Sequence, residues 1–411
     1  MRWVFVVAVG LLALGAVASA ASAAERPNAL DVRVDAISRS ALLTQPATLL
    51  VDATRQAAAI RRAHWTVFGF VLTQIFEAAA LFYLWSSGAA GRLRDRLRRR
   101  FHSEWSVRFV FGATLALVAR LAAFAPSFYL YRVDRTLDLT FELTRWWGVY
   151  WIFHTFVAMI VAGLIAAIVL GLVSRTHQWY VYAIAGILAA SVGWAYVSAY
   201  ATPPVTPLGA ALVSPLRAEA ARAGFPNLPI DVEQLRDAPG DKPTAVGLGP
   251  SERILLSNLM VAASTLPELE YAVAFEIGHV KFNDPLAMAL IEGGIIVIFA
   301  SIAVVIADRF PFRRDDDPLS RLAIVGALLA LVYLGAVPTR NAALRSYDFG
   351  ADAYAVTLTG DAAAAVRTLV RSGDQRMEEV CPELTAALFL YTEPGIGARV
   401  AAINHVPARC P

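Results

Sequence analysis

The segment FEIGHVKFNDP, residues 275–285, is one letter short of a metal-binding helix. With histidine at position 275 it would read H-E-x-x-H, in which two imidazoles one turn apart share a face and the glutamate beside them acts as general base. Phe275 has no lone pair to offer a metal. A single histidine on a helix is more often structural than a ligand, but Glu276, Gly278 and Lys281 around His279 make E-I-G-H-x-K an unusual string. Pro267 beside Glu268 marks a helix start, which predicts a helix over 268–284.

Outward from this helix the chain is strongly apolar. Of its 411 residues, 57% are hydrophobic and 17% charged, too apolar for an ordinary soluble protein. Runs suited to spanning a bilayer lie near 66–86, 109–131, 149–173, 179–200, 286–307 and 319–337. The expected fold class is therefore an all-α membrane protein, a polytopic helical bundle. Residues 1–24, with Arg2, an apolar run and small-residue sites, read as a signal peptide or a first transmembrane helix. Residues 25–200 form an N-terminal membrane region with about four transmembrane helices. Residues 201–411 form an extramembrane domain interrupted by two more, about 286–307 and 319–337.

A formal net charge of +3 gives no case for a nucleic-acid partner. The arginines report topology instead. GRLRDRLRRRFH (91–102) and RFPFRR (309–314) fall on one side once the spans are counted, and the positive-inside rule makes that side cytoplasmic. The domain is then extracytoplasmic, in an inner (plasma) membrane. Cys381 and Cys410 would sit in an oxidising compartment, either bridged or as free thiols. Glu77, Arg120 and Glu292 lie within spans, where ionisable groups line cavities or bond between helices.

A second helix, read over 340–361, carries Asp348 and Asp352 at i and i+4 on one face. A zinc peptidase takes a third ligand from a carboxylate on a downstream helix, and a further carboxylate can hold a ligating imidazole. Asp348 suits the first role and Asp352 the second. A solvated acidic face is the alternative.

Taken in order, these stretches resemble the CAAX prenyl protease family of membrane-embedded zinc metalloendopeptidases. AVGLGPSERILLSNLM (245–260) resembles the hairpin before that family's zinc helix, and FEIGHVK its H-E-x-G-H-x-K. RSYDFGADAYA (345–355) resembles R-x-x-E-x-x-A-D-x-x-A, and TEPGIGARVAAI (392–403) resembles T-H-P-P-x-x-x-R-x-x-x-I. The resemblance implies a helical bundle enclosing a water-filled chamber, with zinc at its mouth and peptides bound as an added strand beside a short β-hairpin. It places Glu276 as catalytic base, His279 and Asp348 as metal ligands and Asp352 behind them. Ala245, Gly247, Glu393 and Arg399 would line the site.

The departures fall on the chemistry. Phe275 stands for the first zinc histidine, Asp348 for glutamate and Glu393 for histidine. Zinc is thus expected to be weakly bound or absent, and the chain to be an impaired or inactive homologue that retains a chamber for a peptide or lipidated peptide. One alternative is an active zinc metalloendopeptidase with a substitute ligand, for which His405 is the remaining extramembrane histidine. Another is a membrane scaffold or lipid-binding chamber. Membrane lipid is a partner in every version.

Overall fold

The apolar runs become helices that overshoot a bilayer. In the computed structural model, which describes residues 29–137, 139–140, 142–202, 205–234, 242–310, 317–408 and 410, three short helices lead the chain: α1 (Ala29–Asp35), α2 (Arg39–Thr44) and α3 (Ala47–Leu50). The segment read as signal peptide or first helix, 1–24, lies outside the described residues. Next comes α4 (Ala53–Ser86), capped by Asp52, which accepts the Arg55 N–H at 2.8 Å. Its 34 residues reach about 50 Å, against a hydrocarbon core of about 30 Å. The turns bearing Arg55, Arg61, Arg62 and His64 therefore precede the span read at 66–86.

α5 (Ala89–Arg100), α6 (Glu104–Ala122), α7 (Phe124–Thr136), α8 (Thr144–Val173) and α9 (Trp179–Ser198) follow. The single span expected at 109–131 is instead two helices, α6 and α7, parted at Ala123. Pro126 is the physical reason, because it has no N–H to give the Ala122 carbonyl.

The chain then builds β1 (Val205–Pro207), α10 (Ala210–Arg222), β2 (Ile230–Glu233), β3 (Thr244–Val246), β4 (Arg253–Ser257), α11 (Asn258–Ala263) and α12 (Leu266–Lys281). Two long helices return to the bundle, α13 (Asp284–Arg309) and α14 (Leu322–Leu344). The domain closes with α15 (Tyr347–Thr359), α16 (Ala362–Arg376), α17 (Leu384–Phe389) and α18 (Ile396–Ile403). Six helices among the described residues are long and apolar enough to cross a membrane, the number read from sequence.

The expected hairpin is β3–β4, but it belongs to a four-stranded sheet of order β1-β2-β4-β3. β2 and β4 run parallel and the other pairs antiparallel. β3 is thus an edge strand. Between β3 and β4, Gly247 has φ +92°, and a Cβ there would lie 2.4 Å from the Ser251 carbonyl oxygen, so only glycine makes this turn. Ser251 Oγ donates to the Tyr196 carbonyl at 3.0 Å, tying the hairpin to the end of α9.

Helix α12 is the centre of the domain. One side packs on the sheet and α10 through Leu269, Val273 and Ile277. The other side meets α15, α16 and α18 through Tyr271, Ala274 and Phe275. Val34, Leu42, Leu50 and Val51 join that second core, so the segment before the first span belongs structurally to the domain rather than to the membrane region where the sequence reading put it. Cys381 and Cys410 are disulfide-bonded, with Cα atoms 5.4 Å apart, which settles the choice between bridge and free thiols. Gly397 of α18 lies under the bridge, where a Cβ would stand 2.8 Å from Cys410 Sγ.

Candidate active site

Helix α12 starts in a capping box. Glu268 accepts the Thr265 N–H at 2.8 Å and is itself held by Arg371 at 2.9 Å in a fully buried pair. Further along, Gly278 lets α15 approach: a Cβ there would lie 3.1 Å from Ala351 Cα. That close crossing brings Asp348 and Asp352 against the face bearing Phe275 and His279.

His279 sits among carboxylates. Its Nδ1 is 2.8 Å from Asp284 Oδ2 and its Nε2 3.5 Å from Asp348 Oδ1. Asn283, at φ 57°, turns the chain so that Asp284, at the head of α13, reaches back to the imidazole. Burial alone would lower the pKa of His279, but hydrogen bonds to Asp284 and Asp348 and the charge of Glu276 raise it to about 10. The surrounding carboxylates thus favour the protonated imidazole. Asp348 Oδ2 is buried with no hydrogen-bond partner.

Four residues earlier the surroundings change. The Phe275 ring meets the His279 ring edge-on at 4.8 Å between centroids, and the Arg399 guanidinium lies over its other neighbourhood, 4.7 Å from the centroid. Arg399 also forks onto Asp352, with Nε to Oδ2 at 2.8 Å and Nη2 to Oδ1 at 2.7 Å. The Tyr271 hydroxyl donates to the same carboxylate at 2.5 Å. Asp352 thus holds a guanidinium and a phenol, not an imidazole; the carboxylate that orients His279 is Asp284. Arg399 Nη1 continues to Glu393 Oε2 at 3.0 Å, and Glu393 is paired with Lys242. Burial would raise the Glu393 pKa, but Lys242, Arg399 and Arg376 outweigh it and hold it at about 2.

Beside both groups runs the free edge of β3. Ala245 donates its N–H to Glu276 Oε2 at 2.5 Å. Burial pushes the Glu276 carboxyl up to about 7, against the opposing pull of His279 and of the Ala245 N–H. A cavity of about 330 Å³ takes in Ala245, Phe275, Glu276, His279, Asp348, Glu393 and Arg399. Of the residues expected at the site, Gly247 shapes the hairpin turn and lies away from this cavity. His405 is exposed near the C-terminus and lies away from it too.

Among the three ionisable groups expected within spans, Glu292 reaches the cavity, paired to Arg340 at 2.6 Å. Arg120 instead lies over Trp151, 5.9 Å from the ring centroid, outside the cavity. Sequence reasoning missed Asp284, Tyr271 and Lys242. Asp284 stood inside the opening motif, five residues after His279, and its place before Pro285 at a helix start was the available signal.

Residues 211–406 match the model of peptidase family M48. The chain is therefore a polytopic membrane protein whose residues 211–406 are similar to peptidase family M48. It is similar to the Protease HtpX homolog of Acidiphilium cryptum (strain JF-5), 26% identical over 221 residues, covering 45% of this chain and 75% of that protein. It is also similar to Protease HtpX of Pasteurella multocida (strain Pm70), 25% identical over 211 residues, covering 47% of this chain and 72% of that one. In three dimensions it is similar to the crystal structure of S. mikatae Ste24p, with a TM-score of 0.67 at 17% identity, over 92% of this chain and 100% of the other. That likeness is one of fold, a helical membrane bundle enclosing a chamber. The resemblance to the CAAX prenyl protease family is borne out, and the M48 match contains all four motifs that carried it.

M48 peptidases in general depend on zinc. A catalytic zinc site takes three protein ligands and leaves a fourth position open. The side chains here do not fit that set: His279 and Asp348 are two converging donors, and the third position is the Phe275 ring. Among the described residues no group of three or more His, Cys, Asp or Glu is arranged to hold a metal ion.

Proposed function

We infer that this chain is an M48-fold membrane protein that captures extended peptides along β3 and hydrolyses them poorly or not at all. One observation carries the reading: the first ligand position is a phenyl ring packed against His279 and Arg399. Without an activated water at this site Glu276 has nothing to deprotonate, and it instead accepts a backbone N–H. The edge strand beside a cavity supports binding of a peptide or lipidated peptide by strand addition. Metal analysis of purified protein after dialysis tests it. Zinc well below one per chain is the expected result, and an equimolar content would overturn the reading.

A second reading has its own support. Asp348 Oδ1 and His279 Nε2 converge at 3.5 Å, and Asp348 Oδ2 is buried without a partner. An active metallopeptidase would use this pair with a substitute ligand, and chelator-sensitive peptide cleavage by pure protein would establish it.

The arginines within 91–102 and 309–314, together with the disulfide, support an inner-membrane protein with an extracytoplasmic domain. Asn227→Cys, at an exposed position, should react with an impermeant thiol reagent on intact cells. Reaction only after lysis would reverse the orientation.

A further inference from the structure

The end of the bundle opposite the domain carries a helix that the peptidase reading leaves unused. α5 follows α4 after a turn at Gly88, whose φ is +69°. Its sequence, AAGRLRDRLRRR, places six arginines in nine residues. Its apolar side is already covered: Ala90, Leu93 and Leu97 pack with Leu81, Val107 and Phe111 at the ends of α4 and α6. α5 is therefore fixed to the bundle, and it has no apolar face left to insert into lipid.

Arg92 donates to the Ser87 carbonyl at 3.0 Å, and the other five arginines divide into two sets. Arg94 and Arg98 are consumed by the fold, bonded to Asp317 at 3.3 and 3.2 Å, with Asp95 and Glu104 as further partners. Arg96, Arg99 and Arg100 are exposed, and none has a carboxylate within ion-pair distance among the described residues. Positions 96, 99 and 100 are spaced i, i+3 and i+4, so the three guanidinia share one face. Like charges at that spacing repel, by a few tenths of a kcal/mol per pair, unless an anion lies between them.

The level of this face is marked by an aromatic. Trp105, in the first turn of α6, is half exposed and stacks on Phe109 at 5.5 Å. Exposed tryptophan at the end of a spanning helix is the usual occupant of the headgroup layer. We propose that Arg96, Arg99 and Arg100 form a docking face for anionic phospholipid headgroups, anchoring this end of the bundle to one leaflet. The charge, the depth and the absence of a free apolar face all fit phosphodiesters at the bilayer surface. The guanidinia would fork onto phosphate oxygens, as lysine ammonium groups cannot.

The test uses the full chain reconstituted in vesicles of phosphatidylcholine with phosphatidylglycerol, each spin-labelled in turn, reading the motionally restricted lipid at the protein surface. The wild type should enrich phosphatidylglycerol over phosphatidylcholine severalfold, and high salt should reduce the preference. R96Q/R99Q/R100Q should abolish most of it, at up to roughly fivefold per arginine, with thermal stability in neutral detergent unchanged. The matching lysine triple should keep part of the preference, which guards against a folding defect in the glutamine variant. Equal retention of both lipids by the wild type, or an unchanged preference in the glutamine triple, would overturn the proposal. So would an equal stabilisation by inorganic phosphate alone, because the face would then be an anion site rather than a lipid dock.

Discussion

Two positions one turn apart on α12 have opposite surroundings. Around His279 carboxylates gather: Asp284 bonds one nitrogen, Asp348 faces the other, and Glu276 adds charge. Around Phe275 the cation is built in, as Arg399 stacks near the ring and forks onto Asp352. A buried carboxylate cannot be left unpaired. With a phenyl ring at 275, no imidazole competes for Asp352, which is bonded to Arg399 and Tyr271, and the chain of charges runs on through Glu393 to Lys242.

The largest test of this contrast is to rebuild the missing half. Phe275→His combined with Asp348→Glu should raise zinc from a trace to near one per chain after dialysis, a change of orders of magnitude in affinity. The new imidazole would compete with Arg399 for Asp352, the carboxylate placed to hold it. If the doubly changed protein stays folded and still takes up no zinc, the similarity at this helix is one of packing alone.

Arg399→Met attacks the other half. It leaves the Asp352 carboxylate buried with Tyr271 as its remaining partner, and breaking such a pair costs about 3–5 kcal/mol. Thermal unfolding in detergent should show a clear drop, and adding Asp352→Asn should recover much of it. An unchanged midpoint in the single variant would mean that the fork contributes nothing.

Most of this architecture was legible from residue types. Six apolar runs gave the membrane helices, and the spacing of Glu276, His279, Asp348 and Asp352 gave the facing surfaces of α12 and α15. The partners were not legible, because they depend on which groups meet across the crossing at Gly278. Asp352 was assigned to an imidazole, whereas the structure gives it Arg399 from α18, 47 residues away in sequence. β1 and β2 were missed for a different reason: strands of three and four residues carry too little alternation to register. The packing of residues 34–51 into the domain core had no sequence signal beyond scattered apolar positions.

A smaller effect comes from Glu393, which joins Lys242 to Arg399. Its pKa is held at about 2 rather than 4.5. A depressed carboxylate contributes stability that is complete above pH 4.5 and is lost as the pH falls through 2. At 1.36 kcal/mol per unit this amounts to at most about 3 kcal/mol. Wild type should lose stability on acidification from pH 5 to 3 more steeply than Glu393→Gln. Parallel curves for the two proteins would remove Glu393 from the charge chain.

The smallest expected effect concerns the strand edge that both halves of the site flank. Ala245 is paired in register with Ile254 of β4, and its N–H is turned away from that partner to Glu276. Strand addition needs this same donor, so an incoming peptide must displace the Glu276 carboxylate. A hydrogen bond to a charged group contributes about 1.5–3 kcal/mol. Glu276→Ala should then bind a fluorescent extended peptide about tenfold more tightly, tenfold corresponding to about 1.4 kcal/mol. Glu276→Gln, which keeps a carbonyl acceptor for Ala245, should stay close to wild type. A working general base predicts otherwise, namely loss of cleavage with no gain in affinity. Equal affinity in all three proteins would show that peptides do not use β3, and weaker binding by Glu276→Ala would make the carboxylate a peptide contact rather than an internal occupant of the edge.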